Sequence, residues 1–244
     1  MNTTTVGAIV EEGFVYTQET HLTVLKSSLF FAGDGFAAYD SNGAVVFRVD
    51  SYGRESGDTG ELVLMDAAGR CLLTVRRKWP SLHHRWEGFA GERISEQTPL
   101  FSVHRSSMIG RSSMAVEVYT KPGEEYQIDG SFGLRKCTIL NADREAVAEI
   151  RRKVDSYANL ELGKEVFLLS LKPGFDGAFA MGLVLILDQI QGANYEDDDG
   201  VVNWADSEPP SPTMLGAHLA SSGPFGSEIG PGMTGSSPRI SPMG

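Results

Sequence analysis

One apolar segment near the C-terminal end of the chain limits the possible folds more than any other feature. The segment from Phe175 to Ile190 is too long for a typical strand, and Asp176 stands where a helix N-cap is expected. Leu183–Leu187 are five consecutive apolar residues, which at about 100° per residue cover the whole circumference of a helix. Such a helix is buried on every side or lies in lipid, and this one is too short to span a bilayer. We therefore predict a helix that ends at Gly192 and runs through a closed β-barrel.

Most of the chain before this segment is typical of β-structure. Short apolar runs alternate with turn sequences such as Asp40–Gly43, Asp66–Gly69 and Asn141–Arg144. Glycine supplies the positive φ of a tight turn, and Asp or Asn supplies a local hydrogen bond, so these sequences predict hairpins. Repeated short strands at this spacing favour a sandwich or a barrel.

The β-rich part also repeats itself. Residues Leu72–Lys78 align with Val147–Lys153 at an offset of 75 residues, and Phe47–Asp50 resembles Tyr126–Asp129 at an offset of 79. The difference between the offsets fits one loop insertion. Two similar halves that pair hairpin with hairpin can close a single barrel, which removes exposed sheet edges.

Eight sequence blocks in order resemble the plant LURP-one-related family over about residues 14–192. These blocks are Leu22–Leu29, Tyr39–Gly43, Val46–Asp50, Leu64–Ala67, Leu73–Lys78, Arg85–Phe89, Gly163–Phe167 and Pro173–Gln189. The resemblance implies a mainly β, tubby-like fold: a closed antiparallel barrel of 12 strands around a central hydrophobic helix. The wider superfamily includes tubby C-terminal domains, which bind phosphoinositides, and phospholipid scramblases. The resemblance further implies a role in plant defence and no enzymatic activity or cofactor.

Composition divides the chain into three parts. Residues 193–244 contain seven of the 11 prolines and seven acidic residues against one basic residue, so we predict a disordered acidic tail. Ser211, Ser237 and Ser241 each precede proline and are candidate phosphorylation sites, although such pairs are also common in disordered tails. We expect residues 1–13 to be flexible and residues 14–192 to form the barrel domain.

Two basic clusters on the repeated strands are the candidate binding residues. Alternate residues share a face of a strand, so Arg76 and Lys78 in the first copy, and Arg151 and Lys153 in the second, are predicted to point outward. Such side chains suit an anionic lipid headgroup, because arginine forks match phosphate oxygens. The alternative is a solvated strand face whose charges prevent edge pairing.

Two further features near the first cluster have competing interpretations. Trp79 and Trp86 bracket a short loop and predict either an aromatic interface patch or a loop packed over the barrel mouth. His83 and His84 are adjacent but lack spaced Cys or carboxylate partners, so no metal site is expected.

Charge and composition narrow the functional classes. The net charge of -11 argues against strong nucleic-acid binding, and two cysteines exclude a disulfide scaffold. No apolar stretch is long enough for a transmembrane span, so we expect a cytoplasmic protein, with the plasma-membrane surface and the nucleus as alternative places of action.

Our leading hypothesis is a non-enzymatic intracellular signalling module that binds a phosphoinositide membrane or a protein partner. The alternatives are a membrane-released nuclear regulator switched by tail phosphorylation and scramblase-like lipid transport.

Overall fold

The computed structural model describes residues 7–26, 35–52, 61–79, 81, 85–92, 94, 96–106, 113–155 and 160–198. A short 3-10 helix, Glu12–Phe14, precedes the strands. The first six strands are β1 (Thr20–Lys26), β2 (Phe36–Tyr39), β3 (Val45–Tyr52), β4 (Glu61–Asp66), β5 (Cys71–Arg77) and β6 (Trp86–Ala90). The second six are β7 (Phe101–Arg105), β8 (Ser113–Val118), β9 (Glu125–Ser131), β10 (Lys136–Leu140), β11 (Ala146–Arg152) and β12 (Val166–Leu171). The helix α1 spans Gly177–Asp198.

The twelve strands form one closed antiparallel barrel in which each strand pairs with its neighbours in the chain. β1 closes the barrel against β12, with Leu22 opposite Leu169 and Val24 opposite Phe167. Because of this closure, none of the twelve described strands has an unpaired edge. The fold that the family resemblance implied, twelve antiparallel strands around a hydrophobic helix, is therefore confirmed.

The internal repeat corresponds to the two halves of the barrel. The first pair of similar sequences lies on β5 and β11, and the second pair lies on β3 and β9. Each pair is six strands apart in either direction around the barrel, so similar sequences face each other across it. The two halves are thus related by an approximate two-fold arrangement about the helix.

The helix α1 is the core of the barrel, as its apolar circumference predicted. Every residue from Ala178 to Ile186 that has a hydrophobic side chain is 0% exposed, and Leu187 is 6% exposed. Gly182 packs against Leu73 of β5, and a Cβ at this position would collide with the Leu73 side chain. Glycine costs about 1 kcal/mol in a helix interior, and here it allows the close approach.

Asp176 caps the helix, as predicted, and also fixes the N-terminal segment. Its Oδ1 accepts the N–H groups of Ala178 and Phe179 at 2.8 and 3.1 Å. Its Oδ2 accepts three more N–H groups, from residues 9–11. The chain is therefore held to the barrel from residue 9 onward, five residues before the start of the barrel domain that we expected at residue 14.

The two ends of the barrel are named by the direction of α1. The helix begins at the lower end, which also holds the hairpin turns at residues 40–44, 66–70 and 141–145. At the upper end α1 leaves the barrel, and the six odd-numbered strands, β1, β3, β5, β7, β9 and β11, end. The helix does not stop at Gly192 as predicted but continues to Asp198. The sequence after Gly192 contains no proline before Pro209, so nothing in it forces an earlier end.

Candidate functional site

The first predicted cluster is organised around a buried carboxylate. Arg76 and Lys78 point away from the core, as predicted, and both approach Glu87 on β6. Lys78 Nζ lies 2.9 Å from Glu87 Oε1, and Arg76 Nη2 lies 3.9 Å from Oε2. Glu87 is buried, and a buried carboxylate needs a compensating charge. These two bases therefore have a structural role in addition to any role in binding.

The second predicted cluster is more accessible. Arg151 is exposed and forms an ion pair with Glu149 on the same strand. Lys153 follows β11, and its Nζ donates a hydrogen bond of 2.7 Å to Thr23 Oγ1. Lys136 lies directly opposite Arg151 in the β10–β11 ladder and is exposed. This wall therefore presents several bases to solvent.

The structure does not bring the two clusters together into one site. β5 and β11 lie on opposite walls of the barrel, six strands apart by either path. Both clusters nevertheless lie at the upper end. They belong to a ring of charge around the barrel mouth and do not form a single four-residue pocket.

Charge is separated between the two ends of the barrel. Each end comprises the described side chains of its connections and of the two strand residues next to each connection. The N-terminal segment belongs to the lower end, and α1 as far as Gln191 belongs to the upper end. The upper end has twelve basic side chains: Lys26, Arg76, Arg77, Lys78, Arg85, Arg105, Arg135, Lys136, Arg151, Arg152, Lys153 and Lys164. It has six acidic ones: Glu61, Glu87, Asp155, Glu161, Glu165 and Asp188. We call the twelve bases the basic rim.

The lower end has the opposite charge. Its described bases number four: Arg70, Lys121, Arg144 and Lys172. Its described acids number thirteen: Glu11, Glu12, Glu19, Asp40, Asp66, Glu92, Glu96, Glu117, Glu124, Glu125, Asp143, Glu145 and Asp176. The described part of the barrel thus has an excess of six positive charges at one end and of nine negative charges at the other.

Five residues of the basic rim were not singled out from the sequence: Lys26, Arg105, Arg135, Lys136 and Lys164. In an up-and-down barrel, alternate connections meet at the same end, so assigning each charged residue to its strand end would have revealed the rim.

The surroundings of Arg135, one of the rim bases, could not be predicted from the sequence. Its guanidinium lies 4.0 Å from the ring centroid of Phe132 and 4.5 Å from that of Phe167, and Nε donates to the Lys164 carbonyl. Burial lowers the pKa of Arg135.

Large apolar side chains are exposed at the same end as the basic rim. Trp79, Leu134, Val154 and Leu160 are 72%, 61%, 45% and 66% exposed. The Arg77 guanidinium lies 4.3 Å from the ring centroid of Trp79. Trp86, by contrast, is buried on β6, so the two tryptophans do not form one aromatic patch.

Other sequence features have the following positions. His83 and His84 lie outside the described residues, as do Ser211, Ser237 and Ser241. Among the residues that the structure describes, no three His, Cys, Asp or Glu side chains group closely enough to hold a metal ion. Within the same residues, no helix has the length and hydrophobicity needed to cross a membrane.

Comparison with known families identifies the barrel. The sequence profile of the LURP-one-related family matches residues 20–188, from β1 to the last buried turn of α1. The chain belongs to the LURP-one-related family.

Two curated relatives from Arabidopsis thaliana show how much of this LURP-one-related chain is shared. Protein LURP-one-related 12 is 60% identical over 184 residues, which cover 75% of this chain and 84% of the relative. Protein LURP-one-related 5 is 62% identical over 189 residues, which cover 76% of this chain and 90% of the relative. Both alignments leave about a quarter of this chain unmatched.

A solved structure has the same fold. The X-ray structure of an Arabidopsis thaliana protein superposes with a TM-score of 0.57 at 22% identity, covering 76% of this chain and 99% of that protein. At this identity the likeness supports the fold alone.

Proposed function

We propose that this LURP-one-related barrel is a non-enzymatic binding module that places its upper end on an anionic membrane surface containing phosphoinositides. One observation carries the proposal: the basic rim and four exposed apolar side chains occupy the same end of the barrel. Basic residues near an anionic leaflet contribute about 1 kcal/mol each, and apolar tips add burial in the interfacial region. The family resemblance suggests plant defence signalling as the setting.

The charge separation also orients the molecule. The acidic lower end is repelled by the same surface that attracts the rim, so one orientation is favoured although the whole chain is negative, at -11. Apolar side chains beside the bases favour a membrane over a purely polar partner, because a membrane accepts both at once. These features support the membrane surface over the protein partner as the ligand.

Vesicle flotation with the full chain tests the proposal. The vesicles are pure phosphatidylcholine, phosphatidylcholine with phosphatidylserine, and phosphatidylcholine with a phosphatidylinositol bisphosphate. We expect binding to both anionic mixtures, strongest for the bisphosphate, and a steep loss with added salt. Absence of flotation with every mixture contradicts membrane docking and favours a protein partner.

Matched charge reversals distinguish an effect of where the basic residues lie from an effect of the net charge of the protein. The rim variant changes Lys136, Arg151 and Lys164 to Glu, and the control changes Arg70, Arg144 and Lys172 at the lower end to Glu. Both variants lower the net charge equally, but only the rim variant is expected to lose binding, by more than about tenfold. Equal losses would show that net charge alone controls binding. Arg76 and Lys78 are left unchanged because they neutralise buried Glu87.

Apolar substitutions test the second half of the argument. Trp79→Ser and Leu134→Ser are expected to weaken flotation, whereas Ile94→Ser, which removes a similarly exposed side chain at the lower end, leaves it unchanged. If all three variants float like the parent, apolar insertion has no part in binding.

The two alternative functions stay predictions with their own tests. Tail phosphorylation is tested by following the distribution of a chain with Ser211, Ser237 and Ser241 changed to Ala. Scramblase-like transport is tested by a fluorescent-lipid flip assay in vesicles.

A further inference from the structure

The helix α1 continues past the mouth of the barrel. At the mouth, Asp188 pairs with Lys26 of β1, and Gln191 lines a cavity between the helix and the strand ends. The helix then runs on to Asp198, seven residues beyond Gln191. Because a helix rises about 1.5 Å per residue, these residues add about 10 Å of helix at the upper end. We call residues 192–198 the helix extension.

The helix extension is acidic. It contains Glu196, Asp197 and Asp198, and its sequence has no basic residue. These three negative charges offset half of the excess of six positive charges at the upper end. They stand at the C-terminal end of the helix, where the macrodipole is also negative. A concentrated negative charge is therefore attached to the same end of the barrel as the basic rim.

This negative charge opposes the docking of the basic rim on an anionic leaflet. When the upper end approaches such a surface, the helix extension approaches it as well. The Debye length is about 8 Å at physiological ionic strength, which is shorter than the extension. The acidic end of the helix is therefore repelled by the surface before the rim comes within range of it.

The helix extension is also a weak helix. Gly192, Asn194 and the two aspartates have low helix propensity, and acidic side chains at the C-terminus of a helix are unfavourable. The extension therefore unwinds easily, whereas the buried residues Ala178–Leu187 keep the rest of α1 inside the barrel. Once it has unwound after Gln191, the acidic segment can turn aside from the surface.

We propose that the helix extension is autoinhibitory: while it is helical it keeps an anionic surface away from the basic rim, and its unwinding allows the rim to dock. This inference rests on the proposed membrane docking and adds a regulatory element to it. The family profile ends at Asp188, so membership of the LURP-one-related family assigns no role to the extension.

Neutralising substitutions in the full chain test the position of the charge, with flotation on phosphatidylcholine vesicles that contain phosphatidylserine. The extension variant replaces three acids by amides: Glu196→Gln, Asp197→Asn and Asp198→Asn. The control replaces three later acids by amides: Asp206→Asn, Glu208→Gln and Glu228→Gln. Both variants change the net charge equally. We expect the extension variant to bind at least about tenfold more tightly than the parent, and the control less than about twofold more tightly.

The outcomes separate this inference from the proposed function. Equal gains in the two variants overturn autoinhibition, because net charge alone then explains them. No gain in the extension variant, when the parent itself floats, overturns it as well. If the parent and both variants fail to float, membrane docking itself is contradicted, and autoinhibition falls with it.

A pair of substitutions at Asn194 tests the helical form without changing any charge. Asn194→Ala favours the helix, and Asn194→Pro interrupts it. Circular dichroism verifies that the barrel is folded and that the two variants differ in helix content. On the same vesicles, Asn194→Pro is expected to bind at least about threefold more tightly than Asn194→Ala. Equal binding by the two folded variants, or tighter binding by Asn194→Ala, overturns the proposal.

Discussion

The N–H of Val10 donates a hydrogen bond of 2.7 Å to Asp176 Oδ2, across 166 residues of sequence. The same carboxylate accepts the N–H groups of both neighbours of Val10 and of the first turn of α1. One side chain therefore caps the core helix and holds residues 9–11 against its first turn. Helix capping and a long-range contact are combined in a single buried group.

Replacing Asp176 by Ala is expected to lower the free energy of unfolding by about 3–5 kcal/mol, because several buried N–H groups lose their acceptor. Urea denaturation measures the change. Asp143→Ala, which removes an exposed carboxylate at the same end of the barrel, serves as the control and should cost little. A loss below about 1 kcal/mol in Asp176→Ala would show that water or another group replaces the carboxylate.

Lys26 and Asp188 form the ion pair that links β1 to α1 at the upper end. Their Nζ and Oδ1 atoms are 3.0 Å apart, and the Asp188 side chain is only 8% exposed. Lys26→Met removes the cation and is expected to cost about 3–5 kcal/mol, whereas the double variant Lys26→Met/Asp188→Leu recovers most of the loss. Thermal and urea unfolding measure both. Equal instability of the single and double variants would mean that the lysine stem, not its charge, matters.

A substitution at Gly43 tests whether its hairpin turn needs a residue that readily adopts a positive φ. It has φ +80°, and a Cβ there would meet nothing within 4 Å. Gly43→Ala is therefore expected to lower the free energy of unfolding by about 1 kcal/mol through backbone strain alone. Gly163 also has open space around it but no positive φ, so Gly163→Ala is the matched control and should be neutral or slightly stabilising. Equal effects of the two variants on urea unfolding would contradict the strain argument.

The buried thiol of Cys137 makes the free energy of unfolding depend on pH in the alkaline range. Burial raises the pKa of its thiol to about 11 from an ordinary value of 9.0. The folded state therefore retains the proton where the unfolded state releases it, so this stabilising contribution is present below pH 9.0 and is lost as pH rises through about 11. Between pH 9.0 and a pH above about 11, the free energy of unfolding of the parent protein should fall by about 2–3 kcal/mol more than that of Cys137→Ala. Parallel pH profiles for the two proteins in urea unfolding would refute the prediction.

The core of the fold follows from local sequence. Five apolar residues in a row, Leu183–Leu187, require burial on all sides of a helix, and the structure encloses them with strands. The hairpin turns were also predictable, because Asp40 and Asp66 each accept backbone N–H groups within their own turn. These features depend on residues that are close in sequence.

Features that depend on distant parts of the chain were not predictable in the same way. The contact of residues 9–11 with Asp176 joins the two ends of the domain, and no local sequence pattern predicts it. The basic rim is spread over residues 26 to 164, and only the alternation of strand direction gathers it at one end. The cavity at the upper end lined by Met114, Phe132 and Leu187 depends on side-chain packing between the helix and the strands, which periodicity does not specify.

The position of α1 after all twelve strands has a consequence for biosynthesis. A ribosome-bound chain that has reached Leu171 contains every strand but not the element that fills the barrel. Its inward-facing side chains have only one another to pack against, and collapsed intermediates of this kind are prone to aggregation. The buried part of α1, Ala178–Leu187, therefore completes the interior in a single late step of synthesis. Truncation before that point leaves the strands without the helix that fills the barrel.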